Sequence, residues 1–157
     1  MAPYRRTFQY EILTPRGEVT SGKAVSAVLP SQDGQVGVLG GRAPLAVVIG
    51  GGLLVVETEA SEREHFYAAN GFAQTREGRL TVVVEECTPL SQIDPEVAYA
   101  EMERLRRRPV TGEGPEPLYQ TELMRLARLR FNLAQRFRRG DYTRTGKHGA
   151  QGHGASA

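Results

Sequence analysis

The hydrophobic period of this chain changes once, at Gln92, and that change sets what the chain can fold into. Before it, apolar residues alternate with polar ones in short runs. In TFQYEIL, Phe8, Tyr10 and Ile12 share one face and Gln9 and Glu11 the other. HFYAANGF places Phe66 and Ala68 on one face, and RLTVVVEE alternates Leu80, Val82 and Val84. A period of two is that of a strand with one side in a core. KAVSAVLP and LLVVETE read as further strands, with turns at TPRGE (14–18), ASERE (60–64) and REG (76–78). Many short strands at close spacing, with no helical period between them, predict an antiparallel sandwich or barrel.

After Gln92 the spacing becomes helical. Asp94 is a candidate N-cap and Pro95 suits the first helical position. Tyr99, Met102 and Leu105 then recur along one helix. PVTGEGPEP (109–117) predicts a long turn. LYQTELMRLARLRFNLAQRFRR (118–139) predicts a second helix. Its Leu123, Leu126, Ala127, Leu133, Ala134 and Phe137 share one face, and Arg125, Arg128, Arg136 and Arg139 form a stripe on the other side. Arg130 falls within the apolar face, where it either snorkels out along its stem or meets an acceptor on a partner. The run from Gly140 is polar and glycine-rich and predicts a disordered tail. The expectation is therefore a mainly β head over 1–92, a two-helix antiparallel hairpin over 93–139 and a tail over 140–157.

Composition narrows the chemistry. The chain of 157 residues has one cysteine, Cys87, so it forms no internal disulfide and suits a reducing compartment. No apolar run reaches the roughly 18 residues that a membrane span needs, and the N-terminus lacks the apolar core of a signal peptide. Ser, His and Asp do not cluster, His65 lies alone on a strand, and no Cys/His spacing suggests zinc. His148 and His153 sit in the polar tail, not in a designed metal site. No catalytic set is expected, and no metal. Residues 1–94 carry 8 Lys/Arg against 11 Asp/Glu, a net of −3, whereas 95–157 carry 12 against 7, a net of +5. A near-neutral front and a basic back predict two parts with different partners.

The stretch DGQVGVLGGRAPL (33–45) holds four glycines. A phosphate cradle would need a helix N-terminus after it, and commonly a Lys or Ser/Thr at its far end. Here β-branched Val47, Val48 and Ile49 follow, and no Gly-Lys-Ser/Thr occurs in the chain. The alternative is a tight turn, a short strand over 36–39 and a loop into the next strand.

That stretch resembles the segment Asp-Gly-x-x-Gly-Val-Leu-Pro-Gly-His-Ala-Pro-Leu of the epsilon subunit of bacterial ATP synthase (delta in mitochondria). Gly40 stands where proline is usual and Arg42 where histidine is usual. FQYEILTPRGEVTSGKA resembles the family's first hairpin. YAANGFAQTREGRLTVVVEE resembles its later strands, with Asn70 in place of one of two adjacent glycines, and SQID leads into the first helix. The resemblance spans about residues 7–139. It implies a ten-stranded β-sandwich or barrel that binds the gamma subunit and rests on the ring of c subunits. It also implies a helical hairpin that lies folded on the head or extends along gamma and restrains ATP hydrolysis. On this reading the chain is not itself an enzyme. It is a peripheral subunit on the cytoplasmic face of the inner or plasma membrane, with no direct membrane insertion.

The resemblance places Asp33, Gly34, Gln35, Arg42 and Pro44 at the end of the head that meets the ring and gamma. It offers Arg125, Arg128, Arg136 and Arg139 to an acidic segment of the catalytic beta subunits; a solvated basic face is the other reading of that stripe. Some members bind regulatory ATP between the helices through Ile-Asp-x-x-Arg-Ala. Here Ile93, Asp94 and Ala98 match, but Val97 replaces the arginine and cannot pair with phosphate. Asp94 and Arg128 are the remaining ATP-site candidates, and no cofactor is expected. Two further readings stay open: a small nucleic-acid-binding β-barrel with a basic helix, which needs exposed sheet aromatics, and a helix over 118–139 that lies on a membrane surface.

Overall fold

The computed structural model describes residues 5–109 and 116–142. Seven strands come first: β1 (Phe8–Thr14), β2 (Gly17–Ser31), β3 (Gly34–Leu39), β4 (Leu45–Ile49), β5 (Gly52–Thr58), β6 (Arg63–Arg76) and β7 (Arg79–Pro89). A short 3-10 turn, Leu90–Gln92, leads to helices α1 (Pro95–Arg107) and α2 (Glu116–Arg138). The mainly β sandwich followed by two helices is as the sequence predicts. α2 starts two residues before the predicted boundary and includes Pro117, which is tolerated because the first turn of a helix leaves its N–H groups unpaired. The predicted long turn falls largely on 110–115, outside the described residues.

Neighbouring strands pair antiparallel, except that β1 runs parallel to β7, and β1 also pairs with β2. The count is seven among the described residues, where the resemblance implies ten, and the reason lies in how the long strands change faces. Along β7, Leu80, Val82 and Val84 are buried in the core, but beyond them it is Cys87 that packs against it. Along β6, Phe66 and Ala68 face that core, then Ala73 does. β2 changes from Ala24 to Ala27 and Leu29, beside a register shift against β5. Each strand thus serves both layers while remaining a single strand. Cut at these points, β2, β6 and β7 would supply the three additional segments.

Local backbone chemistry makes the crossing on β6. Asn70 has φ 59°, a left-handed conformation that Asn tolerates better than most side chains. At Gly71 an added Cβ would collide with the Val83 carbonyl of β7, so only glycine fits. The position next to the glycine therefore needs left-handed geometry, whereas the glycine itself needs an absent side chain.

Two cores result. The first lies inside the sandwich and includes Phe8, Tyr10, Ile12, Leu29, Leu54, Phe66, Leu80 and Val82. The second lies between the head and the helices and joins Tyr67, Ala69 and Leu90 to Ile93, Ala98, Leu126, Leu133 and Ala134. β6 is thus buried on both faces over Phe66–Ala69. The hairpin lies folded against the head, and Tyr67, 1% exposed, is a head residue that it covers. Gly140–Tyr142, predicted as the start of the tail, closes α2 and packs on the head; the rest of that prediction falls on 143–157, outside the described residues, as do His148 and His153.

Candidate functional site

The glycine-rich stretch folds as turn, strand and loop. Gln32 and Asp33 form the turn into β3, where the Asp33 N–H donates to Ser31 Oγ at 3.2 Å and Gly34 takes φ 129°. β3 follows, then the loop 40–44, then strand β4. No helix opens after it, so the stretch lacks the N–H cluster that would hold a phosphate. Gly40 packs directly under the Arg6 backbone, with no room for a Cβ, which accounts for glycine where the family has proline.

The candidate ring-facing residues divide into two groups. Asp33, Gly34 and Gln35 stand at the start of β3; Arg42 and Pro44 follow its end, six strand residues on, about 17–20 Å along the chain. All five are exposed. Arg42 and Pro44 line a cavity of about 540 Å³ with Phe8, Val38, Leu39 and Leu45, between β3 and the β6–β7 hairpin. Asp33, Gly34 and Gln35 do not line it.

A second feature was not read from the sequence. Val48 of β4 stands opposite Phe72 of β6, Phe72 opposite Val83 of β7, and Val83 opposite Leu13 of β1. This row crosses four strands on the outer side of the sheet. Val48 is 55% exposed and Phe72 54%. Apolar side chains aligned on an open sheet face mark a contact surface more strongly than scattered ones do. The signal in the sequence was the change of face at Asn70, which sends Phe72 outward although it keeps the even spacing of Phe66 and Ala68.

The helices present the basic side chains. All four stripe arginines are exposed, but they are not equivalent. Arg125 donates to the Gly50 carbonyl of the head at 2.7 Å and to Glu122 at 2.6 Å. The hydrogen bond between them holds the Glu122 carboxyl below its usual range and raises the Arg125 guanidinium. Arg136 pairs with Asp141 at 3.6 Å. Among the described residues, Arg128 and Arg139 form no ion pair. Arg130 meets acceptors within its own chain, Glu86 of β7 at 3.3 Å and Glu101 of α1 at 3.8 Å, above the Tyr67 ring.

The remaining ATP-site candidates are not brought together. Asp94 caps α1, accepting from the Glu96 N–H at 2.9 Å, and lies 3.9 Å from Arg138. Arg128 is ten residues earlier on α2, about 15 Å along the helix. Val97 is 64% exposed on α1.

Comparison with known proteins agrees with this architecture. The family model for "ATP synthase, Delta/Epsilon chain, beta-sandwich domain" matches residues 7–89. The ATP synthase epsilon chain of Granulibacter bethesdensis is 30% identical over 105 residues, 60% of this chain and 78% of that one. The epsilon chain of a Nostoc species is 27% identical over 132 residues, 82% of this chain and 96% of that one. A chain in the Euglena gracilis mitochondrial ATP synthase aligns with TM-score 0.63 at 16% identity, over 90% of this chain and 87% of its own. One in the central stalk and c-ring of the Tetrahymena thermophila enzyme aligns at 0.60 and 10% identity, over 80% and 95%. At such low identity the solved structures establish the fold alone. The sandwich match covers more than half of the chain, with epsilon chains among its relatives, and the chain belongs to the delta/epsilon family of ATP synthase subunits.

Proposed function

We propose that the head of this subunit joins the gamma subunit to the c-ring of a proton-driven ATP synthase and turns with them. The chain is a rotor-stalk subunit with no catalysis of its own, as its epsilon-chain relatives indicate. The observation that carries the partner assignment is the row Leu13, Val83, Phe72 and Val48, an open apolar sheet face that we assign to gamma. The exposed residues Asp33, Gly34, Gln35, Arg42 and Pro44 flank β3 and are assigned to contacts with the ring and gamma. The subunit is peripheral, on the cytoplasmic face of the inner or plasma membrane. Among the described residues no helix is long and apolar enough to cross a membrane.

Folded against the head, α2 leaves Arg128 and Arg139 without an ion pair among the described residues and so available to acidic segments of the catalytic beta subunits. Regulatory ATP binding is not part of this reading, because Val97 replaces the signature arginine and Asp94 already serves α1 and Arg138. The nucleic-acid alternative gains no support. Phe8, Tyr10, Phe66 and Tyr67 are buried, and Phe72, the exposed sheet aromatic among the described residues, stands between Val48 and Val83 and not in a row of rings of the kind single strands stack on.

The test is assembly. Phe72→Arg should leave the head folded by circular dichroism and abolish co-purification with gamma. Arg42→Glu should weaken association with the c-ring and leave the head folded. Wild-type recovery of gamma and c subunits by the Phe72→Arg protein would remove the assignment of the apolar row.

A further inference from the structure

The end of α2 is fastened to the head around one histidine. His65 on β6 lies 6.2 Å from the Phe137 ring and 5.3 Å from the Tyr142 ring, centroid to centroid. Tyr142 reaches this place through a chain reversal. The Gly140 N–H donates to the Phe137 carbonyl at 2.9 Å and the Asp141 N–H to the Arg136 carbonyl at 3.1 Å, with Gly140 at φ 81°. That bond pair is the Schellman closure of a helix. The Tyr142 hydroxyl is buried without a hydrogen-bond partner among the described residues. The contact therefore rests on ring packing and carries an uncompensated polar group.

The charged groups around His65 disfavour a second positive charge. Arg63 lies two positions away on the same face of β6, and Arg136 of α2 sits over the Tyr142 ring, 5.2 Å from its centroid. The nearby carboxylates have other cations: Glu57 of β5 pairs with Arg5 at 2.8 Å, and Asp141 pairs with Arg136. Glu64 faces the opposite side of β6 and accepts from the Tyr10 hydroxyl. Directly across on β5 stands Val55, which offers no hydrogen bond from its side chain. An imidazolium could gain from the Tyr142 face, but Arg136 already occupies that ring.

We propose that His65 is a proton-sensitive latch: neutral, it packs between Phe137 and Tyr142, and protonated, it releases the last turns of α2 from the head. Burial, and then the charge of Arg63, hold the docked imidazole below its usual 6.5. The undocked imidazole titrates near that ordinary value and so takes up the proton first. The latch is at full strength above 6.5, weakens below it, and is lost as the pH falls through the docked value. The geometry requires no partner, so the latch holds whether or not the assignments to gamma and the ring are right.

The test uses the full chain. Hydrogen exchange of 129–142, corrected for intrinsic rates, is compared at about pH 5 and about pH 7.5. Wild type should exchange several-fold faster at the lower pH. His65→Phe, which keeps a ring and removes the titration, should show no such difference. A His148→Gln/His153→Gln variant should retain it, which separates the latch from the tail histidines. Equal protection at both pH values, or the same response in His65→Phe, would overturn the proposal. Should His65→Phe not fold, an imidazole titration of wild type by NMR decides, and a His65 pKa at or above 6.5 would sink the latch.

Discussion

The guanidinium of Arg130, on α2, lies 3.3 Å from the carboxylate of Glu86, on β7, and so ties the hairpin to the head beside a mainly apolar contact. The same guanidinium reaches Glu101 of α1 at 3.8 Å. One side chain thus joins the sandwich and both helices. Arg130 Nε is buried and unpaired, which works against the ion pairs.

Arg130→Met should therefore cost little, about 0–1 kcal/mol, because the pairs are part-exposed and the apolar stem is kept. Coupling is the sharper measure. A double-mutant cycle of Arg130→Met with Glu86→Gln by urea denaturation should give an interaction of about 0.2–1 kcal/mol. A coupling indistinguishable from zero would show that the pair does not help hold the hairpin.

The crossing on β6 predicts opposite outcomes at adjacent positions. Gly71→Ala drives a Cβ into the Val83 carbonyl and must displace β7, at a cost of about 2 kcal/mol or more. Asn70→Gly should be near neutral, and Asn70→Val should destabilise by about 1–2 kcal/mol, because a β-branched residue resists the left-handed region. Thermal denaturation of the three variants checks this order. A well-tolerated Gly71→Ala would mean that β7 has slack at Val83.

Cys87 should be inert in the folded protein. Burial, and then the Glu86 charge, push its thiol up to about 12. Since the thiolate is the reactive form, alkylation near pH 8 should be far slower in native protein than in protein unfolded by urea. Comparable rates would show that the end of β7 opens readily.

How far the sequence could be read depended on whether one partner or two covered an element. Phe8, Tyr10, Ile12, Leu80, Val82 and Val84 alternate because their other side meets water, and all six are buried as predicted. Tyr67 and Ala69 were missed because β6 is covered by the sandwich on one side and by α2 on the other, and two-sided burial erases alternation. The outward turn of Phe72 was missed for a related reason: a face change leaves composition untouched and shows only as Asn70 beside Gly71. On α2, helical periodicity located Leu126, Leu133 and Ala134, but not Glu86, the acceptor that allows Arg130 on that face. Nor could spacing tell Arg125, bound to Gly50, from Arg128, which forms no ion pair among the described residues, since the acceptor is a backbone carbonyl 75 positions away.

The difference between those two arginines yields a prediction about the restraint, or brake, on ATP hydrolysis that the family resemblance implies for the hairpin. Arg128 and Arg139 can meet carboxylates of the catalytic subunits without breaking any pair seen in the folded arm. Arg125 can do so only after giving up the Gly50 carbonyl. Arg128→Glu with Arg139→Glu should therefore weaken the brake and leave the hairpin docked. Arg125→Gln removes a contact from each state and should change hydrolysis less. Exposed pairs contribute about 0–1 kcal/mol each, yet two reversed charges can shift an equilibrium whose states differ by a few kcal/mol. The difference should shrink as salt rises, because the screening length is already about 8 Å at physiological ionic strength. The measurement is ATP hydrolysis by the assembled complex across ionic strength, comparing wild type, these variants and a subunit lacking 95–157. Equal rates at low salt for wild type and the truncated form would mean that this arm is no brake. A double variant that hydrolyses no faster than wild type, beside a faster truncated form, would move the contact to another face of the hairpin.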